Sequence, residues 1–472
     1  MATSAANAPN PTIMRVVLIA AVAAIGGFLF GFDTAVINGA VDSIREHFAL
    51  GAGQTGFAVS CALLGSALGA WYAGQLADRV GRVRTMQVAA LLLAASAVGA
   101  GLAGAVWQLV LWRLVGGIGV GVASVVAPTY IAEVAPARIR GRLGSMQQLA
   151  IVLGIFVALL SDAWLAHGAG GASQPLWFGL GAWRWMFLVA LLPALIYGLL
   201  VLAVPESPRY LVAKGRLPEA KAVLREVLSL SDEIALERKL TDIAQSLQSE
   251  HRPRLSDLRG SAAGLLPVVW VGILLSVFQQ FVGINVIFYY SSTLWHSVGF
   301  SEADSFAITV ATSIVNVLVT LVAIALVDRI GRKPLLLVGS AGMAITLGLM
   351  AVCFSQANGS GAAIMLPAPW GVVALVAANA YVVFFGVSWG PVVWVLLGEM
   401  FPNRIRAMAL AVAASAQWLA NFAITSSFPA LAQLGLMFAY GLYAAFALLS
   451  LFFVFRAVRE TKGMELEDMR ET

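Results

Sequence analysis

Two side chains of opposite charge, Asp33 and Arg113, lie inside long apolar stretches. Asp33 follows Arg15 by 18 residues, which is about 27 Å along a helix. Arg113 precedes Glu133 by 20 residues on a stretch that would run the opposite way, so both charges are predicted at the same depth. A carboxylate beside a guanidinium is ionised, whereas the same carboxylate separated from its partner in a low-dielectric cavity takes up a proton. The pair is therefore either a proton carrier or a static ion pair that locks two helices together.

A second group of polar residues is uncharged and concentrated in one apolar stretch, at Gln279, Gln280, Asn285, Tyr289 and Tyr290. On a regular helix Gln279 and Asn285 point about 120° apart, and a break at Gly283 would let them converge. Amides that donate and accept hydrogen bonds suit a neutral polyhydroxyl ligand, although any one of them is equally suited to bonding across helices. Other stretches add single amides and aromatic side chains, at Gln147, Gln148, Asn316, Gln417, Asn421, Phe30, Trp389, Trp394 and Trp418.

Two charged loops repeat along the chain, Asp78-Arg79-Val80-Gly81-Arg82 and Asp328-Arg329-Ile330-Gly331-Arg332, at an offset of 250 residues. Glu133 and Arg140 recur as Glu399 and Arg406 at an offset of 266. The loops either only mark topology or pair with the two glutamates across the mouth of the bundle, and two copies carrying both signs favour the pairing. A duplicated unit predicts a pseudo-twofold axis along the membrane normal and a cavity between the copies, which is typical of a transporter.

Other chemistries find little support. Gly386-Val387-Ser388-Trp389-Gly390 formally matches a hydrolase nucleophile elbow, but it lies in an apolar stretch with no preceding strand and no histidine in the neighbouring stretches. The sequence has no nucleotide-binding loop of the G-x-x-x-x-G-K-[ST] type. Its four histidines and two cysteines are scattered singly. We therefore predict no enzyme activity, no cofactor and no metal site, and no nucleic-acid partner.

The elements that must position these residues are membrane helices. Of the 472 residues 60% are hydrophobic and only 11% charged, whereas roughly a quarter are charged in soluble domains. Twelve apolar stretches of spanning length begin near Val16, Thr55, Thr85, Trp107, Leu143, Trp183, Gly264, Ser305, Pro334, Gly371, Ala407 and Leu434. Asp162, near the end of the fifth stretch and followed by a polar loop, is expected at the membrane interface.

Six stretches precede and six follow a charged segment, which predicts four regions: a six-helix half at 1–204, a helical linker at 205–263, a second half at 264–456 and a tail at 457–472. The 60 residues from Pro205 to Gly264 hold 19 of the 53 charged residues. Lys and Arg cluster in the loops after the second, fourth, eighth and tenth stretches, which by the positive-inside rule places the linker and both termini in the cytoplasm.

These motifs together resemble the sugar porter family of the major facilitator superfamily over nearly the whole chain. The resemblance is carried by the segment from Gly26 to Asp33, the two charged loops, Arg113-Leu114-Val115-Gly116-Gly117, Pro205-Glu206-Ser207-Pro208-Arg209, Gln279 through Tyr290, and Trp394 with Glu399 through Arg406. One departure is Arg459 before Glu460-Thr461-Lys462-Gly463, where the family has proline, and it leaves the contact of the tail in question.

The resemblance implies an alternating-access carrier for one monosaccharide, a pentose or hexose such as D-xylose or D-glucose, that works as a monomer in the bacterial inner membrane. By residue-wise matching, the sugar-contacting positions are Gln148, Gln279, Gln280, Asn285, Asn316, Trp394 and Gln417, and the pocket is lined by Phe30, Tyr289, Gly390 and Trp418. Asp33 matches the coupling acid of proton-linked members, with Arg113 as its partner. The expected activity is proton symport; a facilitative uniporter is the first alternative, and a sugar sensor is less favoured because only 16 residues follow Arg456.

Overall fold

We analysed a computed structural model of the chain, which describes residues 11–135, 140–228, 233–249, 255–260, 262–357, 365–402 and 405–462. Within these ranges the chain is almost entirely helical, and twelve helical segments are long and apolar enough to cross a membrane. Large apolar side chains such as Leu91, Leu199 and Phe455 lie exposed on the outside of the bundle, which suits a lipid-facing surface. The chain is an integral, multi-pass, all-α membrane protein.

The first six spans, which we term the N-terminal half, enclose Asp33 and Arg113. They comprise helices α1 (Pro11–Ala35), α2 (Val41–His47), α3 (Ala52–Val80), α4 (Arg82–Gly101), α5 (Val106–Val134), α6 (Arg140–Ala169), α7 (Ala182–Val189) and α8 (Leu191–Val201). The first span is not continuous, because α1 ends at Ala35 and a short 3-10 helix at Asn38–Ala40 leads into α2.

Short amphipathic helices follow the sixth span. They are α9 (Pro208–Ala213), α10 (Leu217–Leu228) and α11 (Glu233–Ser249). Ala220 and Leu224 of α10 are buried with Leu236 and Leu240 of α11, so the apolar faces of the two helices pack together and continue the hydrophobic core of the bundle.

The last six spans, the C-terminal half, carry the amide-rich segment. They comprise α12 (Pro267–Phe281), α13 (Ile284–Ser297), α14 (Glu302–Ile330), α15 (Arg332–Ser355), α16 (Trp370–Val387), α17 (Trp389–Met400), α18 (Arg406–Leu434) and α19 (Leu436–Ala457). Two spans are again broken, between α12 and α13 and between α16 and α17.

The halves meet where α3 packs against α18 and α6 against α14. The end of the bundle that carries α9–α11 and the loops at Gly81 and Gly331 is termed the linker face. The opposite end, which carries residues 36–51, 170–181 and 297–301, is termed the far face. The candidate site lies between the halves, reached by α1 from one side and by α12, α13 and α18 from the other.

Candidate functional site: a polar row between two six-helix halves

The amide row is shaped by a helix break at Gly283, as the sequence predicts. Gly283 has a φ of 84°, in the left-handed region, and a Cβ there would lie 2.7 Å from the Tyr443 ring. Glycine alone fits without strain or collision. The Val282 carbonyl at the break accepts a hydrogen bond from the Tyr381 hydroxyl at 2.7 Å. A side chain therefore supplies the donor that the interrupted helix lacks.

Three amide side chains converge at this break. Asn285 Nδ2 donates to Gln280 Oε1 at 2.5 Å, and Gln280 Nε2 donates to Gln279 Oε1 at 3.3 Å. Gln279 Nε2 in turn donates to the backbone carbonyls of Trp389 at 2.8 Å and Gly390 at 3.2 Å. The row therefore joins the break in one span to the break in another.

The second break, at Ser388, lies directly before the two carbonyls that accept from Gln279. Pro391 lacks the N–H that a regular helix would supply to the Val387 carbonyl, which favours a break at this point. The Ser388 hydroxyl donates to its own helix, to the Phe384 carbonyl at 2.5 Å, and its side chain is buried. Its contacts are those of helix packing and include no base.

The N-terminal half approaches the row through an aromatic contact. The rings of Phe30 on α1 and Trp418 on α18 lie 5.4 Å apart between centroids. Gln417 and Asn316 are buried on α18 and α14, and Tyr289 on α13. Within the described part of the chain, Gln148 and Trp394 make no direct hydrogen bond to the row, and Trp394 is 42% exposed.

Two buried amide oxygens near this region lack a partner. Gln147 Oε1 and Gln417 Oε1 accept no hydrogen bond among the described residues, although both atoms are shielded from solvent. A buried polar atom without a partner costs free energy, and a hydroxyl-rich ligand would supply the missing donor. Gln147 directly precedes Gln148, the position that the family resemblance assigns to sugar contact.

Asp33 and Arg113 are brought together, as expected, but loosely. Arg113 Nη1 lies 3.6 Å from Asp33 Oδ2, beyond hydrogen-bond distance. The guanidinium instead donates to the backbone carbonyls of Asp33 at 3.1 Å and Val59 at 3.3 Å. Asp33 Oδ2 has no hydrogen-bond partner in the described residues. The Asp33 carboxylate thus lies near the positive charge of Arg113 without a hydrogen bond to it.

The far face is closed by contacts that sequence reasoning missed. Asn38 Nδ2 donates to the Phe288 carbonyl at 2.9 Å, Ser292 Oγ donates to the Asn38 carbonyl at 2.9 Å, and the Ser292 amide donates to Asn38 Oδ1 at 3.3 Å. A fourth bond runs from the Ala172 amide to Glu302 Oε1 at 2.9 Å. All four join the N-terminal half to the C-terminal half. The sequence signal that could have indicated these contacts is Asn38-Gly39, a dipeptide typical of turns, within the first apolar stretch.

At the linker face the first charged loop forms a compact network. Arg82 donates from Nε and Nη2 to the two oxygens of Glu133 at 2.9 and 2.8 Å, and from Nη1 to Asp78 at 3.1 Å. Glu206, which follows the sixth span, accepts from the amides of Arg82 at 2.9 Å and Val83 at 3.2 Å. The Arg79 carbonyl accepts from the Tyr210 hydroxyl at 3.3 Å.

The second loop repeats this network with a different acid. Arg332 pairs with Glu399 at 3.1 Å from Nε and 2.8 Å from Nη2. Glu460 takes the place of Glu206 and accepts from the amides of Arg332 and Lys333 at 3.0 and 2.9 Å. Thr461 Oγ1 also donates to Glu399, so the tail is engaged despite Arg459.

The expected geometry of these loops was partly wrong. We expected pairs across the mouth between the two halves, yet Arg82 bonds Glu133 and Arg332 bonds Glu399 within the same half. The physical reason is reach, because each arginine begins the helix that packs beside its glutamate. The Arg329 carbonyl accepts from Lys462 Nζ at 2.7 Å, and Arg406 Nε donates to the Phe401 carbonyl at 3.1 Å. The side chains of Arg140 and Asp328 lie outside the described residues.

Comparison with known proteins agrees with this architecture. A family model described as "Sugar (and other) transporter" matches residues 19–472. The chain is 55% identical to the glucose transport protein of Synechocystis sp. over 99% of both chains. It is 37% identical to the D-xylose-proton symporter of Escherichia coli K12, covering 96% of this chain and 94% of that one.

Among solved structures, an inward open conformation of the xylose transporter XylE from E. coli superposes with a TM-score of 0.81 at 36% identity, covering 96% of this chain and 99% of that one. These matches indicate a transporter rather than an enzyme. Because the family model covers almost the whole length and the relatives match the chain from end to end, the protein belongs to the sugar porter family of the major facilitator superfamily.

Proposed function

We propose that this protein imports one monosaccharide together with a proton across the bacterial inner membrane by alternating access. The observation that carries the proposal is Asp33, a carboxylate 13% exposed at membrane depth, whose Oδ2 is 3.6 Å from Arg113 and has no hydrogen-bond partner in the described residues. A structural ion pair would be expected to close to hydrogen-bond distance. A loosely held acid can change its proton occupancy as the cavity around it opens and closes.

The sugar site is proposed where the amide row meets the Phe30 and Trp418 rings. Amide donors and acceptors beside flat aromatic faces suit hydroxyl groups on a ring. The proposed contacts are Gln148, Gln279, Gln280, Asn285, Asn316, Trp394 and Gln417, with Phe30, Tyr289, Gly390 and Trp418 lining the pocket. The relatives named for glucose and for xylose support a hexose or a pentose as substrate.

In the proposed cycle, Asp33 is protonated while the far face is open, and sugar binding to the C-terminal half draws the halves together. Opening at the linker face releases sugar, and Asp33 then loses its proton on that side while Arg113 stabilises the resulting carboxylate. The closed far face of the structure corresponds to the stage that releases sugar.

The moving parts are proposed to be the halves at 1–204 and 264–456, linked by 205–263, with 457–472 as a tail. The linker face is proposed to be cytoplasmic, together with both termini, because basic residues cluster in its loops. One chain contains both halves and the complete row, so a monomer suffices. The gate at this face is proposed to be formed by the ends of the two halves, each braced by its own charged network, at Arg82 and Arg332 with Asp78, Arg79, Glu133, Arg140, Asp328, Arg329, Glu399 and Arg406.

The test is Asp33→Asn, which keeps the shape of the side chain and removes its titration. In proteoliposomes the variant should keep sugar counterflow but lose accumulation against a gradient and sugar-driven proton entry. Thr129→Val on α5 is the control, because among the described residues the Thr129 hydroxyl bonds only to the Val125 carbonyl of its own helix. Continued accumulation by Asp33→Asn would show that Asp33 is not the coupling group. An unmodified protein that exchanges sugar but never accumulates it would instead be a facilitative uniporter with a static Asp33–Arg113 pair.

A further inference from the structure

Asp162 on α6 is a buried acid that the proposed transport cycle does not use. The sequence placed it at the membrane interface, yet its side chain is 0% exposed. Oδ2 accepts one hydrogen bond, from the Gly39 amide at 3.3 Å, and Oδ1 has no partner among the described residues. An ionised carboxylate is stable in such a place only with a cation or several donors.

The charged groups on the elements around it are engaged elsewhere. On α7, Arg184 donates to the carbonyls of Gly101 and Ala103 at 3.1 and 2.7 Å. Arg113 on α5 faces Asp33 on α1, and Glu302 on α14 accepts from the Ala172 amide. The remaining titratable groups at this end are His167 on α6 itself, Asp42, Arg45, Glu46 and His47 on α2, His296 on α13 and Asp304 on α14. Within the described residues none of these pairs with Asp162, so the site holds the neutral acid.

The hydrogen bond that Asp162 accepts comes from the chain segment that closes the far face. Gly39 packs so closely that an added Cβ would lie 2.8 Å from both Asp162 Cβ and Met186 Sδ. Its neighbour Asn38 makes three of the hydrogen bonds to Phe288 and Ser292 across the halves. Any opening of the far face that withdraws Asn38 must therefore also move Gly39, which packs against Asp162 and shields it from solvent.

We infer that Asp162 is a second protonatable group, separate from Asp33, whose protonation holds the far face closed. The inference rests on alternating access as proposed above. When the segment Asn38–Ala40 moves away, water reaches the carboxyl, its O–H bond breaks and the proton passes to that water. Closure reverses the step, because a carboxylate cannot be returned to this site without its proton. Acid therefore favours the closed far face and alkali the open one, by linkage.

Infrared spectroscopy tests the protonation state without any transport assay. The full-length protein in lipid nanodiscs at neutral pH should show a carbonyl stretching band from a protonated carboxyl group, and Asp162→Asn should remove it. Ser161→Ala is the matched control, since the Ser161 hydroxyl bonds only to the Ala158 carbonyl of its own helix. The band should survive in Asp33→Asn, which separates it from the acid of the transport cycle.

Hydrogen exchange tests the link to closure. The exchange rates are first corrected for the intrinsic rates of the amides. In the unmodified protein, protection of amides 36–44 should then fall by about tenfold per pH unit above the pKa that Asp162 has when the far face is open, as expected for one released proton. In Asp162→Asn the protection should become independent of pH, while Ser161→Ala should follow the unmodified protein.

Superimposable infrared spectra and exchange profiles for the unmodified protein and Asp162→Asn would overturn the inference. Loss of sugar-driven proton entry in Asp162→Asn with sugar counterflow retained would also overturn it, because Asp162 would then be the coupling acid. The pH titration of the band in the unmodified protein decides the question even if the variant folds poorly. A failure of the Asp33 proposal would leave these two readouts unaffected.

Discussion

Single amide residues of the candidate site differ in whether their hydrogen bonds are already made. Gln279 bonds two backbone carbonyls, whereas Gln417 is buried with Oε1 lacking a partner in the described residues. The first geometry serves helix packing as well as a ligand, and the second leaves an atom that a ligand can satisfy. The sequence alone could not separate these roles, because both residues are glutamines in apolar stretches.

The distinction can be tested with a pair of substitutions. Gln417→Leu should leave thermal stability unchanged or raise it, because it removes an unpaired buried oxygen, and should weaken sugar binding about two- to tenfold through a lost neutral hydrogen bond. Gln279→Leu should also lower the melting temperature, since it removes the bonds to the Trp389 and Gly390 carbonyls and leaves the buried Gln280 Nε2 without its acceptor, at a cost of roughly 1–3 kcal/mol.

Melting curves in detergent and sugar binding by isothermal titration measure both effects. A loss of stability in Gln417→Leu equal to that in Gln279→Leu would show that the two amides serve packing alike.

At the scale of helices, the break at Gly283 decides whether the amide row forms. Its prediction from sequence rested on glycine within a crowded polar segment, and the left-handed φ confirms it. The break at the Asn38–Ala40 segment was not predicted, because the apolar run continues through it without a proline and the turn is stabilised by contacts with another half of the molecule.

Gly283→Ala should distort the row. A left-handed backbone costs a non-glycine residue about 1–2 kcal/mol, and the new methyl group would meet the Tyr443 ring at 2.7 Å. Lower thermal stability and a larger proportional loss of sugar affinity are expected, measured by melting curves and binding. Gly348→Ala on α15 is the control, because nothing lies within 4 Å of its Cβ, and it should be neutral or slightly stabilising.

At the scale of the whole molecule, the duplicated sequence motifs predicted the duplicated networks, but not which acid completes each one. Hydropathy and charge are local properties of the sequence. They are enough to predict the membrane spans, the charged segment after the sixth span and the Asp33–Arg113 pair. The positions of Glu206 and Glu460 against the loops depend on how chain segments far apart in sequence meet, with separations of 124 and 128 residues. Local patterns contain no information about such separations.

The Glu460 contact should depend on pH. Burial alone would raise the pKa of Glu460, but donation from the amides of Arg332, Lys462, Lys333 and Thr461 outweighs it and holds the pKa below its ordinary value of 4.5. A lowered pKa in the folded state stabilises the contact above that ordinary value, and the stabilisation is lost as the pH falls through the lowered one. The tail should therefore stay bound at neutral pH and detach only in acid.

Hydrogen exchange of the Arg332 and Lys333 amides measures this contact. Glu460→Gln should raise their exchange at neutral pH and abolish the acid transition, while Glu206→Gln should leave these two amides unchanged. An acid transition that persists in Glu460→Gln would assign it to another group.

The far-face bonds set the energetic scale of the switch between the two open states. Three are neutral hydrogen bonds of about 0.5–1.5 kcal/mol each and one involves a carboxylate, worth about 1.5–3 kcal/mol. Their sum is comparable to the roughly 4 kcal/mol of a millimolar ligand. Since the Arg82–Glu133 and Arg332–Glu399 pairs lie within single halves, they need not break when the halves separate. A sugar that binds one open state more tightly than the other by a few kcal/mol would therefore be enough to redistribute their populations.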